Sequence, residues 1–350
     1  VCDGVERMRK YRVWLTAALV INLVVLFGFV MNWYQTRKNE VDQRLTKVSA
    51  DVARRQYVMP VGMPVGLYIH TKGVMVLGTG KVTNLEDDVL EPAKTVFREG
   101  DYILSINGTT LRNTSQAMSL IQSSEGKMLS FEVLRDGKKI MLKMKPVETA
   151  ADRYKIGVWL RDDTQGIGTI TYIDEDQNFA ALGHGITDAD TGILMDISHG
   201  MVYQSNILSI VKGSRGTPGE IVGTIDYQKK NRIGTITDNS NCGIFGTVER
   251  DYLAYDPEKA VPVADPEEVT EGPVQIVCTM NGETNHYAAE IRKIDKNNKD
   301  YKNFVLQITD EQLLEETNGI LQGMSGSPVI QNGKLVGAVT HVFVNEPTKG

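Results

Sequence analysis

Three hundred and fifty residues, 41% hydrophobic and 23% charged, are enough for two or three globular domains, and 33 glycines with 13 tyrosines among many Val, Ile and Thr runs favour short strands and tight turns. A net charge of −6, with no basic stripe interleaved with aromatics, argues against a nucleic-acid partner. Only Cys2, Cys242 and Cys278 carry thiols, so no disulfide framework is encoded; the last two read as buried free thiols, with a Cys242–Cys278 disulfide as the alternative.

Val13 to Met31 is one apolar run broken only by Thr16 and Asn22, long enough for a helix to cross the hydrocarbon core. Arg7, Arg9, Lys10 and Arg12 precede it; Trp33, Tyr34, Arg37 and Lys38 follow. The heavier basic cluster at the N-terminal side places residues 1–12 in the cytoplasm, residues 13–32 as a transmembrane anchor and the rest outside the cytoplasm. A cleaved signal peptide is the rival reading, with Val48-Ser49-Ala50 as its cleavage site, but those residues lie well beyond the run. Residues 33–57 are polar and charged, with Val41, Leu45, Val48 and Val52 at helical spacing, and read as a membrane-proximal stalk.

From Met59 the character changes. Gly62 to Ile69 reads as a loop entering a strand, and Gly73 to Leu77 as a strand returning antiparallel to it. Glu99-Gly100-Asp101-Tyr102-Ile103-Leu104-Ser105-Ile106-Asn107-Gly108 follows, then a polar helix from about Thr114 to Ser123 and a hairpin from Leu129 to Met144 turning at Asp136-Gly137. This order resembles a PDZ domain of the bacterial protease type over residues 58–147. The resemblance implies that Pro64, Val65, Gly66 and Leu67 offer backbone N–H groups to a peptide carboxylate, and that the strand from Leu67 accepts the peptide by β-augmentation.

Residues 148–350 are again β-rich. Strands are expected at Gly166–Ile173 and Phe179–Leu182, and then through Ile207–Val211, Glu220–Asp226, Arg232–Thr237, Gly243–Glu249, Val274–Met280, Tyr287–Ile294 and Asn303–Thr309, which suits one or two closed barrels. Asp174, Asp176 and Asn178 lack the sixth-position glycine and the glutamate of a calcium loop, so they read as a turn; no metal or cofactor is expected.

Near the end, Gly323-Met324-Ser325-Gly326-Ser327-Pro328 opens an apolar strand that turns at Asn332-Gly333 into another. A serine between glycines on a tight loop suits a nucleophile, with the Gly323 and Ser325 amides placed for an oxyanion hole. The loop and hairpin resemble the Gly-x-Ser-Gly-Gly-Pro segment of chymotrypsin-like serine peptidases, with Ser327 in place of the second glycine. Serine needs a base. Of five histidines, His184 ends a hairpin where that fold places its base; His70, His199 and His286 lack a supporting pattern, and His341 reads as cleft wall. Asp188, Asp190, Asp196, Asp226, Asp238 and Asp310 all precede the serine and remain open as the orienting acid. An α/β-hydrolase is excluded, because Pro328 and a hairpin follow the serine and the best histidine comes first.

One apolar anchor, a PDZ-like segment, Ala181-Leu182-Gly183-His184-Gly185 and the Gly-x-Ser-Gly-Ser-Pro loop together resemble the SpoIVB peptidase family, the stage IV sporulation protein B proteins of endospore-forming bacteria. The resemblance implies a mainly β chain with a transmembrane helix, a PDZ domain and a chymotrypsin-like double β-barrel. It implies Ser325 as nucleophile, His184 as base and Asp310 as acid, with Asp226 or Asp238 as runner-up, and a family that continues past Gly350. It further implies a forespore-membrane enzyme facing the intermembrane space. Such an enzyme processes itself and cuts the extracytoplasmic part of a regulatory membrane protein, so that an intramembrane metalloprotease can mature a late sigma factor. A catalytically inactive membrane-anchored PDZ adaptor is the alternative, against which serine, histidine and candidate acids are all present.

Overall fold

The computed structural model describes residues 56–350 apart from Asn281, together with Met31 and Gln35. The expected anchor and stalk fall almost wholly outside the described residues, and among the described residues no helix is long and apolar enough to cross a membrane.

From Tyr57 onward strands dominate, with two α-helices, Thr114–Gln122 and Glu311–Thr317. One 23-residue strand, Tyr57–Thr79, sets the plan. Its Met59–His70 portion pairs antiparallel with the strand Val158–Ile173 along one edge, while Val65–Thr71 pairs with Ile197–Val211 along the other. Ile197–Val211 pairs in turn with Arg232–Ser240, that with Gly243–Val248, that with Asn178–Ala181, and that with Val158–Ile173. The ladder therefore closes on itself as a six-stranded antiparallel barrel with no free edge around the ring. Val65, Leu67 and Ile69 alternate inward, as strand geometry requires, and meet Ile170, Phe179, Val202, Ile236 and Ile244 in the barrel core.

Past a register shift between His70 and Met75 the same strand leaves the barrel; Val74 and Met75 pair with Ile103 and Tyr102, and Met75–Thr79 with Arg161–Val158. A second core gathers here from Val74, Val76, Phe97, Ile103, Ile121 and Phe131. The hairpin Leu129–Arg135 and Lys138–Met144 turns as expected, Asp136 and Gly137 both having positive φ, of 50° and 73°. The Glu-Gly-Asp segment gains a physical reason. Gly100 takes φ 84°, and Asp101, buried, accepts two 2.7 Å bonds from the Arg135 guanidinium and one of 2.9 Å from the Arg98 amide.

Two expectations are corrected by this strand. Gly73–Leu77 does not return against Gly62–Ile69, because both belong to one continuous strand. Pro64, Val65, Gly66 and Leu67 form no carboxylate-binding loop: all four pair with Val158–Ile173, and Val65–Leu67 also with Ile197–Val211, so no edge remains there for an added peptide.

A separate five-stranded sheet, ordered Phe304–Ile308, Glu283–Ile294, Gly272–Met280, Pro328–Gln331, Lys334–Ala338, carries the serine hairpin. Its pairings do not close; instead Thr348 and Gly350 bond along Ile308 and Leu306 at the open edge. The hairpin turn Asn332-Gly333 has the expected paired positive φ values, 50° and 75°.

Candidate active site

The serine loop connects the five-stranded sheet to the barrel. Gly323 and Gly326 both take φ 101°, which a side chain resists. At Gly326 space is forbidding as well, since a Cβ would lie 2.1 Å from the Thr169 carbonyl oxygen and 2.5 Å from the Leu182 nitrogen. The loop is held from within: Met324 N–H donates to Leu321 at 3.1 Å, Gly326 N–H to Val339 at 2.7 Å and Ser327 N–H to Met324 at 2.9 Å. It is also stitched to the barrel, because Thr169 donates its amide to the Ser325 carbonyl at 3.0 Å and its hydroxyl to the Gly323 carbonyl at 2.7 Å. The amides of Gly323 and Ser325 take no part in this holding set. The Ser325 hydroxyl donates to the Thr340 carbonyl at 2.9 Å.

Ser327, where the resembling loops carry glycine, is fully buried. Its hydroxyl lies beside the Cys278 thiol, whose pKa burial pushes up to about 11 against a small downward pull from that hydroxyl. Cys242 and Cys278 are free, the first exposed and the second buried, so the two do not pair.

His184 is aimed by a strained turn. Leu182 and Gly183 have φ 69° and 68°, and Gly183 N–H donates to Ala181 at 2.9 Å, closing a three-residue turn centred on a leucine. A bulky side chain with positive φ costs roughly 1–3 kcal/mol, and here it persists because Leu182 is buried and donates its amide to Thr169 at 3.2 Å. The segment beyond is clamped by Asn239, whose Oδ1 accepts from Ile186 N–H at 2.8 Å while Nδ2 donates to the Ile186 and Met195 carbonyls, both at 2.9 Å. Asp188 braces it from below. Burial alone would raise the pKa of this carboxyl, but Thr191 N–H and Oγ1, the Arg161 guanidinium and Asp190 N–H hold it below the usual carboxylate range.

The His184 Nδ1 lies 2.9 Å from the Gly185 carbonyl oxygen. A carbonyl only accepts, so in the neutral ring Nδ1 carries the proton and Nε2 keeps the lone pair, which is the tautomer a base needs. The His341 ring centroid lies 5.3 Å from that of His184. Burial pulls the His341 pKa below its ordinary value, as do the Lys302 and His184 charges.

Ser325, His184, Gly323 and His341 line one cleft of about 610 Å³, whose apolar walls include Leu67, Ile167, Leu182 and Leu194. The expected nucleophile, base and cleft-wall histidine are thus brought together. Asp310 is not among them. It caps the helix Glu311–Thr317, one carboxylate oxygen accepting from Leu313 N–H at 3.0 Å and the other from Ala288 N–H at 3.1 Å, and no hydrogen bond joins it to His184. Asp226 accepts from Gln228 N–H in a turn and Asp238 is exposed; neither lines the cleft. His70 and His199 stand opposite each other on paired barrel strands, rings stacked at 4.8 Å, and His286 lies on Glu283–Ile294 beside Gln275, so all three lie away from the serine. No group of three metal-ligating side chains occurs among the described residues.

Sequence reading missed Thr169, Asn239 and Thr340. Asn239 directly follows the candidate Asp238, and only the bulge between Ile236 and Asp238 decides which of the two faces the histidine loop. In comparisons with known proteins, a model described as SpoIVB peptidase S55 matches residues 152–350. No curated protein matches.

Proposed function

The chain belongs to the SpoIVB peptidase S55 family and is a sporulation serine peptidase; from that premise we propose that Ser325 is its nucleophile and His184 its general base, with the Gly185 carbonyl orienting the ring. The observation that carries this reading is the His184 Nδ1 contact with Gly185, which leaves Nε2 unprotonated in the cleft that holds Ser325.

The serine hydroxyl first leaves the Thr340 carbonyl by turning about χ1 toward Nε2. Its oxygen then bonds to the scissile carbonyl carbon while its proton passes to His184. The Gly323 and Ser325 amides meet the oxygen that becomes negative. As the C–N bond breaks, His184 returns the proton to the leaving amine, and water repeats the cycle on the acyl-enzyme. Asp310 supplies stability rather than orientation.

The substrate we assign is the extracytoplasmic part of a regulatory membrane protein, whose cleavage frees an intramembrane metalloprotease to mature a late sigma factor; self-processing accompanies it. Residues 13–32 anchor the enzyme in the forespore membrane facing the intermembrane space, supported by the apolar run and its flanking charges. Of the PDZ domain expected over residues 58–147, residues 59–71 belong to the barrel, and the remaining module over residues 73–147 is the PDZ-type element that raises the local concentration of substrate, supported by its strand, helix and hairpin order.

Labelling by a fluorophosphonate probe tests the site. The wild-type chain is expected to label, and Ser325→Ala and His184→Ala are expected not to; equal labelling of folded His184→Ala would remove the base from this assignment.

A further inference from the structure

Beside the catalytic cleft lies a larger cavity of about 850 Å³. Gly183, Tyr301, Lys302, Thr340 and His341 line both, so the two are lobes of one groove that meet at these residues, with Ser325 and His184 in the first lobe. The lobes differ in chemistry. The second is floored by Ile294, Phe304, Val336, Ala338 and Val342, none of them fully buried. Apolar side chains left incompletely covered in a concave surface mark a site for an apolar group.

The groove also offers backbone. Between Val339, whose amide donates to Ser327, and Phe343, whose amide donates to Lys349, the N–H groups of Thr340, His341 and Val342 donate no hydrogen bond among the described residues. An extended chain lying along this stretch alternates its side chains, one down to the floor and the next up to the rim. On that rim Lys296 and Lys302 form no ion pair among the described residues.

We infer that the second lobe is a specificity subsite of the peptidase, taking a bulky apolar side chain of an extended peptide within a few residues of the scissile bond, with an acidic side chain adjacent to it against Lys296 and Lys302. This rests on the serine peptidase reading and names its substrate class. An apolar floor gains from burial of Leu, Ile, Phe or Met, and rim lysines prefer a carboxylate and repel a cation. Tyr301 and Lys302, both exposed at the junction of the lobes, lie where the peptide crosses from one to the other.

The test is cleavage profiling of the full chain on a mixed peptide library, with fluorophosphonate labelling run in parallel. Wild type is expected to enrich Leu, Ile, Phe or Met about tenfold at one fixed position near the cut, with Asp or Glu enriched beside it. Val336→Trp, which fills the lobe, is expected to lower kcat/KM for those peptides about tenfold or more while Ser325 still labels at the wild-type rate. Lys302→Glu, on an exposed side chain that leaves the fold alone, is expected to exchange the acidic preference for a basic one. Cleavage without apolar enrichment, or profiles unchanged in both variants, overturns the subsite and leaves the peptidase reading standing. Absence of both labelling and cleavage overturns the two together.

Discussion

Asp310→Asn separates the orienting role that the family resemblance implies for this residue from the capping role that the structure gives it. As a helix cap, Asp310 accepts one bond from Leu313 N–H and one from Ala288 N–H. Asparagine caps helices about as well as aspartate, but it has one acceptor oxygen, so its amide nitrogen must face one of those two donors. The loss is about one hydrogen bond, roughly 0.5–1.5 kcal/mol of stability. Asp310→Ala removes both and costs roughly 1–3 kcal/mol. In neither variant does the His184 ring lose its partner, which is the Gly185 carbonyl. The kcat/KM of Asp310→Asn is therefore expected within about threefold of wild type once the unfolded fraction is corrected for. An orienting acid behaves otherwise: its asparagine variant holds the wrong tautomer and drops kcat about 10⁴-fold, equivalent to about 5.4 kcal/mol of transition-state stabilisation. Urea unfolding and fluorophosphonate labelling rates on the same preparation distinguish these. A labelling rate reduced a thousandfold or more, with unfolding unchanged, would refute the capping role and restore Asp310 to the triad.

Gly326→Ala combines positive φ with backbone overlap at Thr169 and Leu182, so unfolding experiments should show a loss of roughly 3 kcal/mol or more with labelling abolished; a stable, labelled variant would mean that the serine loop does not hold this conformation. Arg161→Met leaves the Asp188 carboxylate, itself fully buried, without its cation and is expected to cost roughly 3–5 kcal/mol in chemical denaturation, whereas a loss below about 1 kcal/mol would show the pair to be unimportant. Acid sensitivity follows from His341 and His199, whose folded pKa values burial pulls below 6.5, aided at His341 by Lys302 and His184 and at His199 by His70. The unfolded chain binds protons first as pH falls through 6.5, so stability is full above that value and declines toward the depressed folded values. Replacing both by glutamine should flatten the decline below pH 6.5, and an unchanged slope would show that other groups govern it.

Much of the peptidase part was legible because its signals are local. Asn332-Gly333 and Asp136-Gly137 dictate their hairpins through positive φ, and Gly323 and Gly326 flank the serine because the loop needs glycine twice. His184 was singled out by its place after a short apolar strand, and it lines the same cleft as Ser325, although the strain at Leu182 that aims it leaves no mark in the sequence. What escaped is non-local. That Asp310 spends both carboxylate oxygens on Leu313 and Ala288 depends on the helix Glu311–Thr317 starting immediately after it and on the strand Glu283–Ile294 arriving 22 residues earlier in the chain. Pro64–Leu67 carries the small residues and the proline of a binding loop, and only pairing with strands about a hundred residues away turns it into barrel wall.

That pairing has a consequence for where the enzyme begins. The family match starts at residue 152, yet the barrel that carries His184 draws one of its six strands from residues 59–71. Without them, Val158–Ile173 and Ile197–Val211 face each other across a missing strand, and Met59, Val61, Val65, Leu67 and Ile69 are lost from the core. Five apolar side chains at roughly 1.5–3 kcal/mol each amount to about 7–15 kcal/mol, the whole stability of an ordinary domain. Residues 152–350 expressed alone are therefore expected to show no cooperative unfolding transition and no fluorophosphonate labelling, while residues 57–350 show both. A shorter chain that folds and labels would place the barrel's closure elsewhere. If instead the outcome is as expected, the module over residues 73–147 is an insertion within the peptidase, joined to it by two strands: Tyr57–Thr79, which runs from Leu67 and Ile69 in the cleft wall into the second core at Val74 and Val76, and Val158–Ile173, whose Val158–Arg161 end pairs with Met75–Thr79.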